Sequence, residues 1–174
     1  AAGGKHGTFL TIKVHGKALE GNLEGDTPDR DVLIYLPPSY KTSPTRRYPV
    51  VYFLHGYGIG AQQYWDTMTV TETADKLMGD GSIHEMILVH PDANTIYNGS
   101  MYSNSPNTGN WETYLTKDLI AYIDSHYRTV AKPESRGLSG HSMGGYGTFR
   151  IAMKYPGLFN SIYAMSSCCL MNNP

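Results

Sequence analysis

In the run Gly140-His141-Ser142-Met143-Gly144 a serine sits between two glycines, each one residue removed from it. The spacing G-x-S-x-G carries chemistry when it occupies a sharp turn from a strand into a helix. Glycines let the backbone turn where side chains would collide, the hydroxyl is left standing above the sheet, and the amides that open the helix face any negative charge developing there. Residues 136–139 read as a short strand, and an apolar helical stretch through Phe149, Ala152 and Met153 follows the motif. Ser142 is therefore the expected nucleophile toward a carbonyl carbon. The competing reading is an ordinary glycine-rich helix start.

Attack on a carbonyl needs two donors for the oxyanion, one from the residue after the nucleophile and one from a loop after a different strand. The segment Leu54-His55-Gly56-Tyr57-Gly58 follows the most apolar run of the chain and suits the second role. Met143 and Tyr57 are the expected donors, each through its backbone N–H. Gly140, Gly144, Gly56 and Gly58 are then the positions sensitive to substitution, and His55 is expected to tie its loop down through its ring nitrogens.

A serine hydroxyl also needs a base, usually a histidine oriented by a carboxylate. Histidines stand at 6, 15, 55, 84, 90, 126 and 141, and residues 143–174 contain no Asp, Glu or His. His141 adjoins the nucleophile and its side chain should point away at such a turn. His90, with Asp92 two residues on, is the candidate base within the chain, set against the preferred reading of a loop residue supporting the site. Asp92 is expected to bond local backbone amides.

The elements that must position these groups follow from hydrophobic patterning. Residues 8–14 alternate as TFLTIKV, and residues 32–36 end at Pro37-Pro38, so both read as strands. Residues 48–54 and 86–89 are nearly continuous apolar runs, suited to parallel strands covered on both faces, and residues 161–166 read as another covered strand. The spacing of Met68, Thr71, Ala74 and Met78 predicts a helix over 65–78. A stripe of Leu115, Leu119, Tyr122 and Ile123 predicts another after Trp111, and residues 94–109 read as a long loop of the kind that carries function. Strands alternating with helices indicate an α/β sheet with right-handed crossovers.

Composition narrows the partners. With 40% hydrophobic and 17% charged residues and a formal net charge of −1, the 174 residues suit a single globular domain and exclude collagen, a coiled coil and a polyanion-binding surface. No run approaches a membrane span, so the chain is expected to be soluble, with secretion slightly favoured over the cytoplasm by its many tyrosines and glycine-rich turns. Neither nucleic acid nor a membrane is expected as a partner. No Cys/His/Asp spacing resembles a metal site, so no metal and no cofactor are expected. The adjacent Cys168 and Cys169 argue against a disulfide scaffold. The preferred reading is a small buried hydrophobe near a strand end, with pairing to a cysteine outside the chain left open. Asn98-Gly99-Ser100 fits the glycosylation acceptor pattern.

The stretches YLPPSY at 35–40, YPVVYFLHGYG at 48–58, NWETYLTKDL at 110–119, GLSGHSMGGYG at 137–147 and YPGLFNSIYAMS at 155–166 together resemble the putative-esterase family. That family includes feruloyl esterases, esterase D, S-formylglutathione hydrolases and, more distantly, mycolyltransferases. The resemblance implies an α/β-hydrolase fold, a mostly parallel sheet with helices on both faces. It implies an acyl-enzyme reaction on a carboxylic ester, of the feruloyl or other plant cell-wall type or with a short acyl group, with Ser142 as nucleophile and Met143 and Tyr57 as oxyanion donors. An S-formylglutathione-type thioester is the alternative substrate, and a non-catalytic binding module lacking base and acid is the alternative class. Trp65, Tyr97, Tyr102 and Trp111, with Tyr57, are the candidate lining of an aromatic pocket for a small ester or an esterified polysaccharide. The family's acid and histidine follow further strands, so residues 1–174 are expected to be the N-terminal portion of one domain. The missing C-terminal strands are then expected from a further segment or a second chain that completes the sheet.

Overall fold

The computed structural model describes residues 6–170. Strands β1 (Thr8–His15) and β2 (Asp29–Leu36) pair antiparallel. β3 (Val50–Leu54) and β4 (Ile87–Pro91) pair parallel, and β2 lies antiparallel against the far edge of β4. A two-residue hairpin of β5 (Asn104–Ser105) and β6 (Gly109–Asn110) interrupts the long loop expected there. β7 (Arg136–His141) joins the other side of β3 and carries β8 (Ser161–Met165), both parallel. The result is a six-stranded mixed, mostly parallel sheet in the order β1-β2-β4-β3-β7-β8, flanked by helices.

Two helices, α1 (Ala61–Thr67) and α2 (Val70–Gly79), replace the single helix predicted between β3 and β4. The break falls at Thr69, whose φ of 47° no helix tolerates. The Trp65 indole N–H then donates to the Thr71 hydroxyl across the break at 2.9 Å. After β6, α3 (Trp111–Thr113) widens into π-type turns over Tyr114–Leu119 and continues as α4 (Ile120–His126). α5 (Met143–Lys154) connects β7 to β8.

One face of the sheet is closed. Val50, Tyr52, Leu54, Ile87, Val89 and Leu138 lie buried against Trp111, Tyr114, Leu119, Ile123 and Ile151. On the other face α1 and α2 cover only the β2 and β4 side, where Leu33, Tyr35, Trp65, Ala74 and Met78 cluster. Beyond them Val51, Gly137, Ser139, Ser161 and Tyr163 line an open hollow of about 390 Å³. The expectation that β8 is covered is corrected here: Ser161 and Tyr163 are exposed because no helix among the described residues packs over the open face there, and Ile162, on the α5 side, is also exposed at the edge of the sheet.

This topology makes the site. β3 and β7 are neighbours, with Leu54 paired to Gly140, yet the chain leaves β3 toward α1 on one face and β7 toward α5 on the other. A crevice opens at the carboxyl ends of two strands whose connections diverge in this way. Residues 55–58 form one wall and residues 141–143 the other.

Candidate active site

Ser142 stands at the tip of β7 with φ 55° and ψ −114°, a conformation that costs a non-glycine residue on the order of 1–3 kcal/mol and persists only where neighbours impose it. The neighbours are backbone groups. The Ser142 amide donates to the Met165 carbonyl at 3.0 Å, and its carbonyl accepts from the amides of Tyr146 at 3.0 Å and Cys168 at 3.1 Å. The end of β8 and the first turn of α5 thus fix the backbone while the hydroxyl takes no part. Both motif glycines are required by close approach. A Cβ on Gly140 would sit 2.3 Å from the Gly144 carbonyl oxygen, and one on Gly144 would sit 2.0 Å from that of Leu54.

Gly56 faces the serine across the crevice, where a Cβ would lie 3.6 Å from Ser142 Cβ, an ordinary contact, while Gly58 turns the loop at φ 74°. Around them His55 acts as a splint. Its Nε2 accepts the Ala93 amide hydrogen at 2.8 Å, so the ring hydrogen resides on Nδ1 and is donated to the Gly56 carbonyl at 2.8 Å. Burial lowers the His55 pKa and keeps the ring in this neutral form. The carbonyl of Gly56 and the amide of Tyr57 belong to one trans peptide and point oppositely. Holding the first against His55 turns the Tyr57 N–H away from that ring. Among the described residues neither the Tyr57 nor the Met143 amide donates to another group.

His90, the candidate base, is corrected. It is wholly buried, its Nδ1 donates to the Phe53 carbonyl at 2.5 Å, and Phe53, Tyr64 and Trp65 surround its ring. Burial, reinforced by the nearby His55, pushes its pKa down to about 3, too low to hold a proton taken from serine at neutral pH. His141 turns toward Tyr64, ring centroids 5.9 Å apart. Among the described residues no imidazole and no carboxylate hydrogen-bonds the Ser142 hydroxyl. Asp92 takes the backbone amides of Ala61 and Asn94, both at 2.9 Å, and pairs with Arg30 at 3.0 Å, locking the start of α1 to the loop after β4.

The expected aromatic lining divides. Tyr57 and Tyr97 are exposed, 57% and 64%, and the Tyr57 hydroxyl donates to the Tyr97 carbonyl at 2.7 Å. Trp65, Tyr102 and Trp111 are buried in the interior. Trp65 packs beneath Phe9 and His90, Trp111 beneath Arg30 and against Tyr114, and the Tyr102 hydroxyl donates to the His55 carbonyl at 3.0 Å. Sequence reasoning missed Glu112, fully buried at the start of α3. It receives Lys154 at 2.7 Å, the Tyr155 hydroxyl at 2.6 Å and Arg150 at 3.2 Å, clamping α3 to the end of α5. Its acidic character gave no signal, since carboxylates are seldom buried without such partners.

The reading of the cysteines is also corrected. Cys168 and Cys169 are joined as a vicinal disulfide just beyond β8, Cys168 half-buried and Cys169 exposed, and a positive φ at Cys169 accommodates the turn. Among the described residues no three His, Cys, Asp or Glu side chains gather as metal ligands, and no helix is long and apolar enough to cross a membrane.

A sheet of this order, with a strained serine between strand and helix, defines a member of the α/β-hydrolase superfamily of the esterase type. The family model described as Putative esterase matches residues 27–173, and the chain belongs to that family. It is 35% identical over 134 residues to Esterase Rv1288 of Mycobacterium tuberculosis, covering 75% of this chain and 27% of that protein. It is 24% identical over 155 residues to S-formylglutathione hydrolase of Bos taurus, covering 78% of this chain and 51% of that one. Among solved structures a ferulic acid esterase superposes with a TM-score of 0.79 at 26% identity, over 95% of this chain and 59% of that chain. The chain thus spans between about a quarter and three-fifths of the length of these relatives.

Proposed function

We propose that this chain supplies the nucleophile and oxyanion hole of a serine esterase that works through an acyl-enzyme. The observation that carries the reading is the strained backbone of Ser142 facing residues 56–57 across the crevice, with two unused amides beside it. Ser142 Oγ attacks the ester carbonyl and the Tyr57 and Met143 N–H groups receive the oxyanion. Collapse expels the alcohol, which takes up the proton the serine gave to the base, and water then releases the acid and restores the hydroxyl. The base and its carboxylate come from polypeptide outside residues 1–174, by continuation or from a second chain. The open face beside β8 and the greater length of the relatives support that division.

For substrate, the exposed Tyr57–Tyr97 pair at the rim and the likeness to a ferulic acid esterase support an aromatic acyl ester, free or on a polysaccharide. Incubation with a fluorophosphonate followed by intact-mass and peptide analysis should place an adduct on Ser142 and none on the Ser142→Ala variant. Absence of an adduct in the complete polypeptide, together with no hydrolysis of p-nitrophenyl acetate, overturns the reading. Rates on methyl ferulate, p-nitrophenyl acetate and S-formylglutathione then rank the substrate classes, and a preference for the thioester overturns the aromatic assignment.

A further inference from the structure

The loop after β4 carries more backbone strain than its length explains. Asn98, Met101 and Tyr102 all adopt positive φ, at 71°, 52° and 48°, although none is glycine. Such residues persist where surrounding bonds over-determine them. Within the loop the Thr95 hydroxyl accepts the amides of Tyr97 and Gly99, at 3.2 and 3.4 Å, and the Ser100 hydroxyl accepts that of Tyr102 at 3.1 Å.

Outward bonds go to one wall of the crevice and packing reaches the other. The Gly58 amide donates to the Asn98 carbonyl at 2.7 Å, the Tyr57 hydroxyl to the Tyr97 carbonyl at 2.7 Å, and the Tyr102 hydroxyl to the His55 carbonyl at 3.0 Å. These three hold the loop that presents the Tyr57 amide. On the other wall the Tyr102 ring lies flush against α5, where a Cβ on Gly147 would fall 2.7 Å from it. Gly99 touches both. A Cβ added there would stand 2.6 Å from the Tyr57 ring and 2.7 Å from Met143 Sδ, the side chains of the two residues that bear the oxyanion amides.

From these contacts we infer that residues 95–102 form a brace that sets the separation of the Tyr57 and Met143 amides, with Gly99 and Tyr102 as its positioning residues. The inference rests on the serine-esterase reading for its catalytic meaning. Gly99 is glycine because the brace must lie between two side chains, and Tyr102 couples the carbonyl of His55 to the flank of the nucleophile helix. Oxyanion stabilisation depends on donor placement to a fraction of an ångström, so widening the gap should act on the chemical step and leave ground-state binding largely intact.

The test compares Gly99→Ala, Tyr102→Phe and the double variant Gly99→Ala/Tyr57→Ala with wild type in the complete polypeptide. Gly99→Ala should slow fluorophosphonate labelling of Ser142 by about 10-fold or more, and Tyr102→Phe by about 3-fold, with kcat rather than KM changed in ester hydrolysis. Removing the Tyr57 ring should restore much of the Gly99→Ala loss relative to Tyr57→Ala alone, which a merely structural defect would not allow. The ¹⁵N shifts of the Tyr57 and Met143 amides should move together in both single variants. A folded Gly99→Ala protein labelled at the wild-type rate with unmoved amides overturns the brace. If Gly99→Ala fails to fold, an unaltered Tyr102→Phe does the same. A wild-type protein that takes no fluorophosphonate defeats the esterase reading alone, and the amide shifts still decide the brace.

Discussion

The two faces of the central sheet are built from the same strands to opposite standards. Beneath α3, α4 and α5 every inward side chain of β3 is buried, and that face carries the helix that begins at Ser142. On the reverse side cover ends at α2, and Val51, Ser139 and Tyr163 remain partly or largely open, Tyr163 at 68%. The difference separates two requirements. Holding a strained serine needs dense packing on one face only, since its backbone partners come from the first turn of α5, the end of β8 and Cys168 just beyond it. Among the described residues no imidazole or carboxylate of the closed face hydrogen-bonds the Ser142 hydroxyl, and the proposed base would have to come from elsewhere.

The largest expected effect comes from wedging the closed side apart. Gly144→Ala puts a methyl group 2.0 Å from the Leu54 carbonyl oxygen, and neither β3 nor the start of α5 can yield. Urea denaturation should show a loss of about 3 kcal/mol or more, with fluorophosphonate labelling of Ser142 abolished. Near-normal labelling would mean that the elbow does not depend on that contact.

Glu112→Ala should cost about 2–3 kcal/mol in the same measurement, less than a fully enclosed ion pair, because Lys154 and Arg150 remain partly solvated once their acceptor is gone. Burial alone would raise the Glu112 pKa, but hydrogen bonds from Lys154 and Tyr155 and the adjacent cations together hold it below the usual range. Its stabilising contribution is therefore present at neutral pH and fades as the carboxylate protonates in acid. A loss under 0.5 kcal/mol would show that α3 does not need this clamp.

On the α1 side His90 makes stability pH-dependent. The folded protein keeps the ring neutral down to about pH 3, whereas the unfolded chain protonates it near its ordinary value of 6.5. The unfolded state binds more protons below pH 6.5, so stability falls as pH is lowered, by about 1.4 kcal/mol per unit for this one group. Between pH 6.5 and 5 most carboxylates are still charged, and the slope there is set by His90 and His55, opposed by the exposed His15, whose pKa Glu20 and Asp29 raise. His90→Phe should flatten it by about 1 kcal/mol per unit over that range, and an unchanged slope would mean that the ring is protonated in the folded protein.

Much of the closed side was legible because local rules decide it. The glycines around Ser142, the apolar runs of β3 and β4 and the His55-Gly56 turn each announce themselves within a few residues, and all six strands of the sheet fall where patterning puts them. What patterning missed depends on distant partners. Trp65 and Trp111 look like pocket aromatics until Phe9 and Arg30, far away in sequence, cover them. Thr69 breaks a helix whose hydrophobic spacing is continuous, and Gly99 matters through Tyr57 and Met143 on two other loops. β8 reads as a covered strand because its composition is that of one, and its exposure is a property of what surrounds it.

The smallest expected effect is also the sharpest measure of the two faces. Val50 and Val51 are the same residue type, adjacent on β3 and each in register with partners on both β4 and β7, and they differ in the face they meet. Val50 is fully buried against the closed core, and Val51 is half-buried beside the open hollow with Gly137 and Tyr163. Val50→Ala should cost about 2 kcal/mol, the transfer of two methyl groups plus the cavity they leave, while Val51→Ala should cost about 1 kcal/mol or less because solvent fills part of the space. Equal costs in residues 1–174 alone would mean that the hollow is closed in solution, by self-association or by rearrangement of α2. In a polypeptide that carries the elements completing the sheet, the Val51 cost should rise toward that of Val50. The size of that rise measures how far the added chain seals the open face.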